Sequence, residues 1–257
     1  MTTKTRCYDL ILRRHLEKYR QMAFVSGPRQ VGKTTTCRAA GDLYLDWDSI
    51  EHRSVLLAGP DRIAGWAGLM ELAVQPPVLV FDELHKYGGW KRLLKGFFDL
   101  HESQARIIVT GSSRLDVYRR GGDSLMGRYF PYRMHPFSLA EVALPEIPAD
   151  SNILTRPPMP VRDEDFLALW NHGGFPEPFL LRDPAFTRRW QRLRLDQLLR
   201  EDIRDLTRIQ ELGQLDTLGR LLANRSGEQL VYALLAEEVR ISQDTARRWV
   251  DAGGYKA

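Results

Sequence analysis

Short runs of consecutive apolar residues alternate, along the first half of the chain, with longer segments whose apolar residues recur every three or four positions. The runs MAFV (Met22 to Val25), LYLDW (Leu43 to Trp47), VLVFD (Val78 to Asp82) and RIIVT (Arg106 to Thr110) are near-continuously apolar rather than alternating. That is the pattern of strands covered on both faces. YFPYRM (Tyr129 to Met134) is a fifth candidate strand, weakened by Pro131, which has no N–H to give a ladder. Ahead of the first run, YDLILRRHLEKYRQ sets Leu10, Ile11, Leu12 and Leu16 at helical spacing. WKRLLKGFFDLHES puts Leu93, Leu94, Phe97, Phe98 and Leu100 on one broad face of a helix. Strands and helices in this alternation predict an α/β fold, a parallel five-stranded sheet with helices on both faces.

The texture then changes. LPEIPADSNILTRPPMP carries Pro145, Pro148, Pro157, Pro158 and Pro160 and cannot sustain regular structure. The expected organisation is a sheet domain over residues 1–144, a proline-rich linker over 145–161, a helical lid over 162–212 and a partial winged helix-turn-helix over 213–257. In the last of these, ALLAEEVRISQDTARRWVDA reads as helix, short turn, helix. Leu234, Leu235 and Val239 would pack the first helix, and Ala246, Trp249 and Val250 the second. Gln243, Asp244, Arg247 and Arg248 would then lie on the outer face, where a recognition helix meets bases and phosphates. DNA is accordingly a candidate partner through Gln243, Arg247 and Arg248, with an internal scaffold as the alternative use of the same helices. The mixed charges of RRWQRLRLDQLLREDIRDLTR, Arg194, Arg200 and Arg204 among Asp196, Glu201, Asp202 and Asp205, are accounted for by salt-bridged exposure to solvent.

Composition narrows the class. With 257 residues and 43% hydrophobic content the chain can bury a full core, and a formal charge of +4 without a basic tail does not by itself announce nucleic acid. Cys7 and Cys37 have no C-x-x-C partner, which argues against a zinc site or a disulfide framework. No signal-like stretch and no membrane-length apolar run is present, so a cytoplasmic, non-membrane protein is expected.

The chemistry is concentrated in SGPRQVGKTT, Ser26 to Thr35, which fits G-x-x-x-x-G-K-[ST] directly after a strand. Gly27 and Gly32 let successive N–H groups turn inward to cradle phosphate oxygens, with Pro28, Arg29, Gln30 and Val31 between them. Lys33 adds a full charge, the Thr34 hydroxyl is placed to ligate Mg²⁺, and Thr35 continues the first helical turn. VLVFDE then delivers Asp82 to a strand end, where it would hold Mg²⁺, and Glu83 to orient the attacking water. A third strand ends in Thr110, Gly111, Ser112 and Ser113, of which Ser112 is favoured as a sensor of the γ-phosphate. For the arginine that transition-state charge calls for, the candidates are Arg29, Arg114 and Arg128, and Arg128 in SLMGRYF is favoured, acting in cis or from a neighbouring subunit. No N-K-x-D element favours guanine, so ATP is the expected nucleotide. Read together, these features predict an Mg²⁺-dependent ATPase that couples nucleotide state to conformational change on DNA or a protein partner. The alternative is a slow nucleotide-gated switch that turns over little.

GPRQVGKTT, FDELHK, VTGSS, GRYFPYRMHPFSLAE and GGFPEPFL, in that order, resemble the successive motifs of the prokaryotic AAA+-type P-loop ATPases that carry a C-terminal domain of unknown function, the domain-of-unknown-function 4143 group. The resemblance runs from about Cys7 to Trp249. It implies an AAA+-like core, a helical lid and a winged helix. It also implies MgATP bound by Lys33 and Thr34, a Walker B pair at Asp82 and Glu83, a sensor at Ser112 and an arginine finger at Arg128; a homo-oligomer is a candidate state, its number unread from the sequence. Two departures stand out. His85 occupies a position that is often Gln and is expected to pack or make an indirect contact, and the chain stops at DAGGYKA, where such proteins continue into a nuclease-like domain, so a shortened form is expected.

Overall fold

A computed structural model of the chain describes residues 4–69, 75–111, 125–143, 159–197, 212–225 and 227–252. The chain divides into two compact units, Met1–Arg182 and Asp183–Ala257. The division falls inside the span expected to be a single lid over 162–212, and residues 144–158 of the proline-rich segment lie outside the described residues.

The first unit runs α1 (Cys7–Lys18), β1 (Met22–Ser26), α2 (Lys33–Ala40), β2 (Leu43–Asp46), α3 (Ile50–Leu57), α4 (Pro60–Trp66), β3 (Val78–Asp82), a 3₁₀ turn (Leu84–Lys86), α5 (Trp90–His101), β4 (Arg106–Thr110), β5 (Tyr129–Arg133), α6 (Leu139–Ala143), α7 (Asp163–His172) and α8 (Pro176–Leu181). The five strands form one parallel sheet in the order β2-β3-β4-β1-β5. All five expected strands are present. Pro131 is tolerated because β5 is an edge strand that pairs only with β1.

Side chains alternate across the sheet and meet a different helical layer on each face. Met22, Phe24, Leu79, Phe81, Ile107 and Val109 pack with Leu56, Ile63, Leu94, Phe97 and Phe98 of α3, α4 and α5. Ala23, Val25, Val80 and Ile108 pack with Leu12 of α1 and Cys37 of α2. Each fully buried side chain of this size contributes about 1.5–3 kcal/mol over exposure, so the layers hold the carboxyl ends of β1, β3 and β4 in fixed relation. Leu100, expected on the buried face of α5, is 63% exposed. His101 takes that place, four residues after Phe97, with the two rings 5.0 Å apart.

A smaller core of Phe137, Val142, Ala168 and Phe179 joins α6, α7 and α8 within the first unit. Gly174 fixes this junction. Its carbonyl accepts the Phe137 N–H at 2.7 Å, and a Cβ there would stand 2.3 Å from the Phe137 carbonyl oxygen.

In the second unit the described helices are α9 (Pro184–Gln197), α10 (Leu212–Asn224), α11 (Tyr232–Val239) and α12 (Gln243–Ala252). Leu215, Leu218, Leu235, Val239, Trp249 and Val250 make its core. Helix α11 ends at Arg240 with φ 59°, and α12 starts under a Ser242 cap whose Oγ accepts the Thr245 N–H at 3.1 Å. Gln243, Asp244, Arg247 and Arg248 are exposed, as expected of an outer face. Leu234 is 51% exposed rather than packed, because Leu235 and Ala236 occupy the inward positions. Of the charged run, residues 198–208 lie outside the described residues.

Candidate nucleotide site

The loop after β1 owes its shape to three residues with positive φ, Gly27 at 148°, Gln30 at 64° and Gly32 at 98°. Gly27 has no alternative there, since a Cβ would lie 2.3 Å from the Met134 carbonyl oxygen just past β5. Gly32 sits at the N-cap of α2 in the left-handed region, so the chain enters the helix with its first-turn N–H groups at the carboxyl edge of the sheet. Thr34 and Thr35 are exposed on that first turn, whereas Lys33 is buried. Its Nζ donates to the carbonyls of Gly27 at 2.9 Å and Pro28 at 2.8 Å. The ammonium therefore lies across the inside of its own loop, at the place where phosphate oxygens would compete for it.

Thr34 and Asp82 meet. The Thr34 hydroxyl donates to Asp82 Oδ2 at 3.0 Å, while Asp82 Oδ1 accepts the Glu83 N–H at 3.0 Å. The Tyr44 hydroxyl also donates to Oδ2. Burial pushes the Asp82 carboxyl above the usual carboxylate range, opposed by the hydrogen bonds from Tyr44 and Thr34 and reinforced by the nearby charges of Glu83 and Asp46. Asp46 is in register with Asp82 on the adjacent strand. Burial and the Asp82 carboxylate likewise push the Tyr44 phenol up. Neither Tyr44 nor Asp46 is marked by any sequence motif; the signal is their place in the β2 run, which the sheet sets beside β3.

Glu83 has φ 54°, and its N–H also donates to the Thr110 carbonyl at 3.0 Å. Its half-buried carboxylate is held by Lys86 Nζ at 3.3 Å, with His85 Nε2 at 3.8 Å. Lys86 in turn reaches Asp48 at 2.5 Å. His85 is thus placed against Glu83. Thr110, fully buried, is in register with both Val25 and Asp82 and ends β4 beneath the loop. Ser112 lies outside the described residues, with Ser113 and Arg114.

Arg128 is not brought to this cluster. Its carbonyl accepts the Met22 N–H at the amino end of β1, and the phosphate loop starts after Ser26 at the other end, about 13 Å away by strand rise. Its guanidinium is instead bound to Asp99 through two hydrogen bonds of 2.6 and 3.0 Å. In its own subunit Arg128 therefore stands at the opposite end of β1 from the phosphate loop.

A buried arginine that no motif identifies supports the loop from behind. Arg6 donates to the Val31 carbonyl at 2.7 Å, to the His135 carbonyl at 2.7 Å, and through Nε to Glu141 at 2.7 Å. Its guanidinium lies 4.2 Å from the Phe137 ring centroid. Beside it, Arg6, Gly32, Thr35, Thr36, Phe137 and Pro176 line a cavity of about 550 Å³ that opens next to the first turn of α2. α8 reaches this wall because the Asp165 carboxylate gathers Arg162, Arg182 and Lys4.

The donors present suit Mg²⁺. A Thr34 hydroxyl whose proton points at Asp82 keeps its lone pairs for a metal, and Asp82 supplies one carboxylate. Mg²⁺ takes its remaining positions from water and phosphate oxygens. Among the described residues no group of three or more His, Cys, Asp or Glu side chains suited to a resident metal occurs, and no helix is long and apolar enough to cross a membrane.

Residues 19–143 match the AAA domain family AAA_14, and residues 163–252 match a domain of unknown function, DUF8612. Two curated relatives, the uncharacterized proteins Rv2008c of Mycobacterium tuberculosis and Mb2031c of Mycobacterium bovis, are each 25% identical over 245 residues. Those residues are 94% of this chain and 49% of each relative, so the chain spans about half the length of the curated relatives it matches. Among solved structures it is similar to AMPPCP-bound DnaA from Aquifex aeolicus, at 14% identity and TM-score 0.45 over 94% of this chain and 85% of that one. The S. cerevisiae Hsp104–ADP complex matches at 14% identity and TM-score 0.43, over 95% and 40%. Residues 19–143 are thus an AAA-type P-loop domain of the nucleotide-binding kind, and residues 163–252 an additional domain of unknown function.

Proposed function

We propose that the chain binds ATP with Mg²⁺ at residues 27–35 and hydrolyses it, using the change of nucleotide state to move its helical regions against DNA or a protein partner. The observation that carries this reading is the 3.0 Å hydrogen bond from Thr34 to Asp82, which joins the phosphate loop to the acidic end of β3. The N–H groups of the loop and first helical turn take the phosphate oxygens. Lys33 exchanges the Gly27 and Pro28 carbonyls for them. Thr34 and Asp82 would hold Mg²⁺, which when bound would supply neutralisation of phosphate charge. Glu83 accepts a proton from the attacking water and orients it, and Ser112, in the third sequence motif, senses the γ-phosphate.

Lys33→Ala is expected to abolish nucleotide binding measured by titration with a fluorescent ATP analogue, since it removes the one ammonium inside the loop. Unchanged affinity takes Lys33 out of the site. Phosphate release with and without duplex or branched DNA tests the function itself. Stimulation by DNA supports the first reading and the exposed Gln243, Arg247 and Arg248 as its contacts.

One observation favours a second reading, a slow switch. Glu83 is already engaged by Lys86, which Asp48 anchors, so the water-orienting carboxylate is restrained before any nucleotide arrives. A turnover rate that stays negligible with every DNA supports this alternative.

With Arg128 at the amino edge, its action falls to a neighbouring subunit. Mixing Arg128→Ala with Lys33→Ala protein is expected to restore part of the lost turnover, because mixed assemblies pair an intact loop with an intact arginine. No recovery at any mixing ratio excludes Arg128 as a trans-acting group.

A further inference from the structure

Tyr44 enters the site from β2, a strand that carries none of the sequence motifs. It is in register with Val80, two residues before Asp82, and lies on the α2 side of the sheet against the cluster containing Cys37 and Val80. From there its hydroxyl donates to Asp82 Oδ2, the oxygen that also takes the Thr34 hydroxyl. The other oxygen, Oδ1, accepts one N–H, from Glu83. An ionised carboxylate offers about four acceptor directions. Three are occupied, both on Oδ2 and one on Oδ1. The fourth, on Oδ1, is left for a water of the metal.

The ring is fixed as well. The Arg38 guanidinium covers it at 4.2 Å from the centroid, and Arg38 is one helical turn beyond Thr34 on α2. One helix therefore grips Asp82 twice, directly through Thr34 and indirectly through Arg38 and Tyr44. Without the phenol, Oδ2 would keep a free acceptor direction, and Asp82 would be held only by the Thr34 hydroxyl and the Glu83 N–H.

Resting on the nucleotide reading above, we propose that Tyr44 is a positioning residue for metal binding: by saturating Oδ2 it selects Oδ1 of Asp82 as the oxygen that faces Mg²⁺. A purely structural tyrosine would satisfy a buried carboxylate and leave metal dependence untouched. Tyr44→Phe keeps the ring, its packing and the Arg38 contact, and removes only the donor.

The test is equilibrium binding of a fluorescent non-hydrolysable ATP analogue, titrated with Mg²⁺ and repeated in EDTA. For Tyr44→Phe the Mg²⁺ concentration giving half of the affinity gain is expected to rise about tenfold, as for loss of other groups that orient a metal ligand, while affinity in EDTA stays the same. Arg38→Met, which loosens the ring without touching the carboxylate, is expected to shift it about threefold in the same direction, and serves as the deciding variant if Tyr44→Phe does not fold. An unchanged or lowered Mg²⁺ requirement in the folded variant overturns the proposal. If the unaltered protein binds no analogue, or Lys33→Ala does not weaken binding, the nucleotide reading fails instead.

Discussion

Glu83→Gln leaves ATP bound and slows its hydrolysis by about 10²–10⁴-fold, the range that a positioned general base supplies. The substitution is unusually clean at this position. Glu83 sits at φ 54°, and glutamine meets the same backbone cost there as glutamate. The two hydrogen bonds that set the turn, from the Glu83 N–H to Asp82 Oδ1 and to the Thr110 carbonyl, belong to the backbone and survive. The Thr34–Asp82 pair is untouched. What is lost is the charge that accepts a proton and the ion pair with Lys86. Single-turnover phosphate release, with nucleotide affinity measured in parallel, separates chemistry from binding. Near-normal turnover in the variant means that another group positions the water and that Glu83 is only the cap of the 3₁₀ turn.

The parts of this site that could be read from sequence are those whose chemistry depends on local spacing. A phosphate loop must be contiguous, so Gly27, Gly32, Lys33 and Thr34 declare themselves, and an apolar run ending in Asp82 and Glu83 does the same. The strands were legible for a similar reason, since both faces of a parallel sheet are covered and the runs are apolar throughout. What was not legible depends on which strands become neighbours. Tyr44 and Asp46 come beside Asp82 because β2 lies next to β3, an adjacency fixed by crossover topology and not by distance along the chain. Arg128 has suitable residue type and suitable neighbours in sequence, yet the parallel register with β1 puts it at the amino edge, opposite the loop. The split at Arg182 was not legible because proline content marks where regular structure stops, whereas α7 and α8 pack in the first unit through Phe137, Gly174 and Asp165.

Arg6 is the strongest case of a residue invisible in sequence, and its removal carries the second large effect. Arg6→Met is expected to destabilise the first unit by about 3–5 kcal/mol, because it leaves Glu141 charged, buried and without its partner. Both side chains of the pair are about 5% exposed, so water cannot take over. The double variant Arg6→Met with Glu141→Gln should recover most of that stability. The amide oxygen introduced by Glu141→Gln can still accept the Cys7 N–H that Glu141 holds at 2.9 Å, and no buried charge is left alone. Nucleotide affinity should not recover with it. The Val31 carbonyl, which Arg6 Nη1 anchors at 2.7 Å, stays without that donor in the double variant, and the loop between Gly27 and Gly32 is no longer held to the segment after β5 and to α6 through one guanidinium. Urea denaturation gives the first quantity, and titration with an ATP analogue well below the melting temperature gives the second. If stability and affinity return together, Arg6 acts only on the fold. If affinity stays low in a protein of restored stability, the guanidinium sets the shape of the phosphate loop.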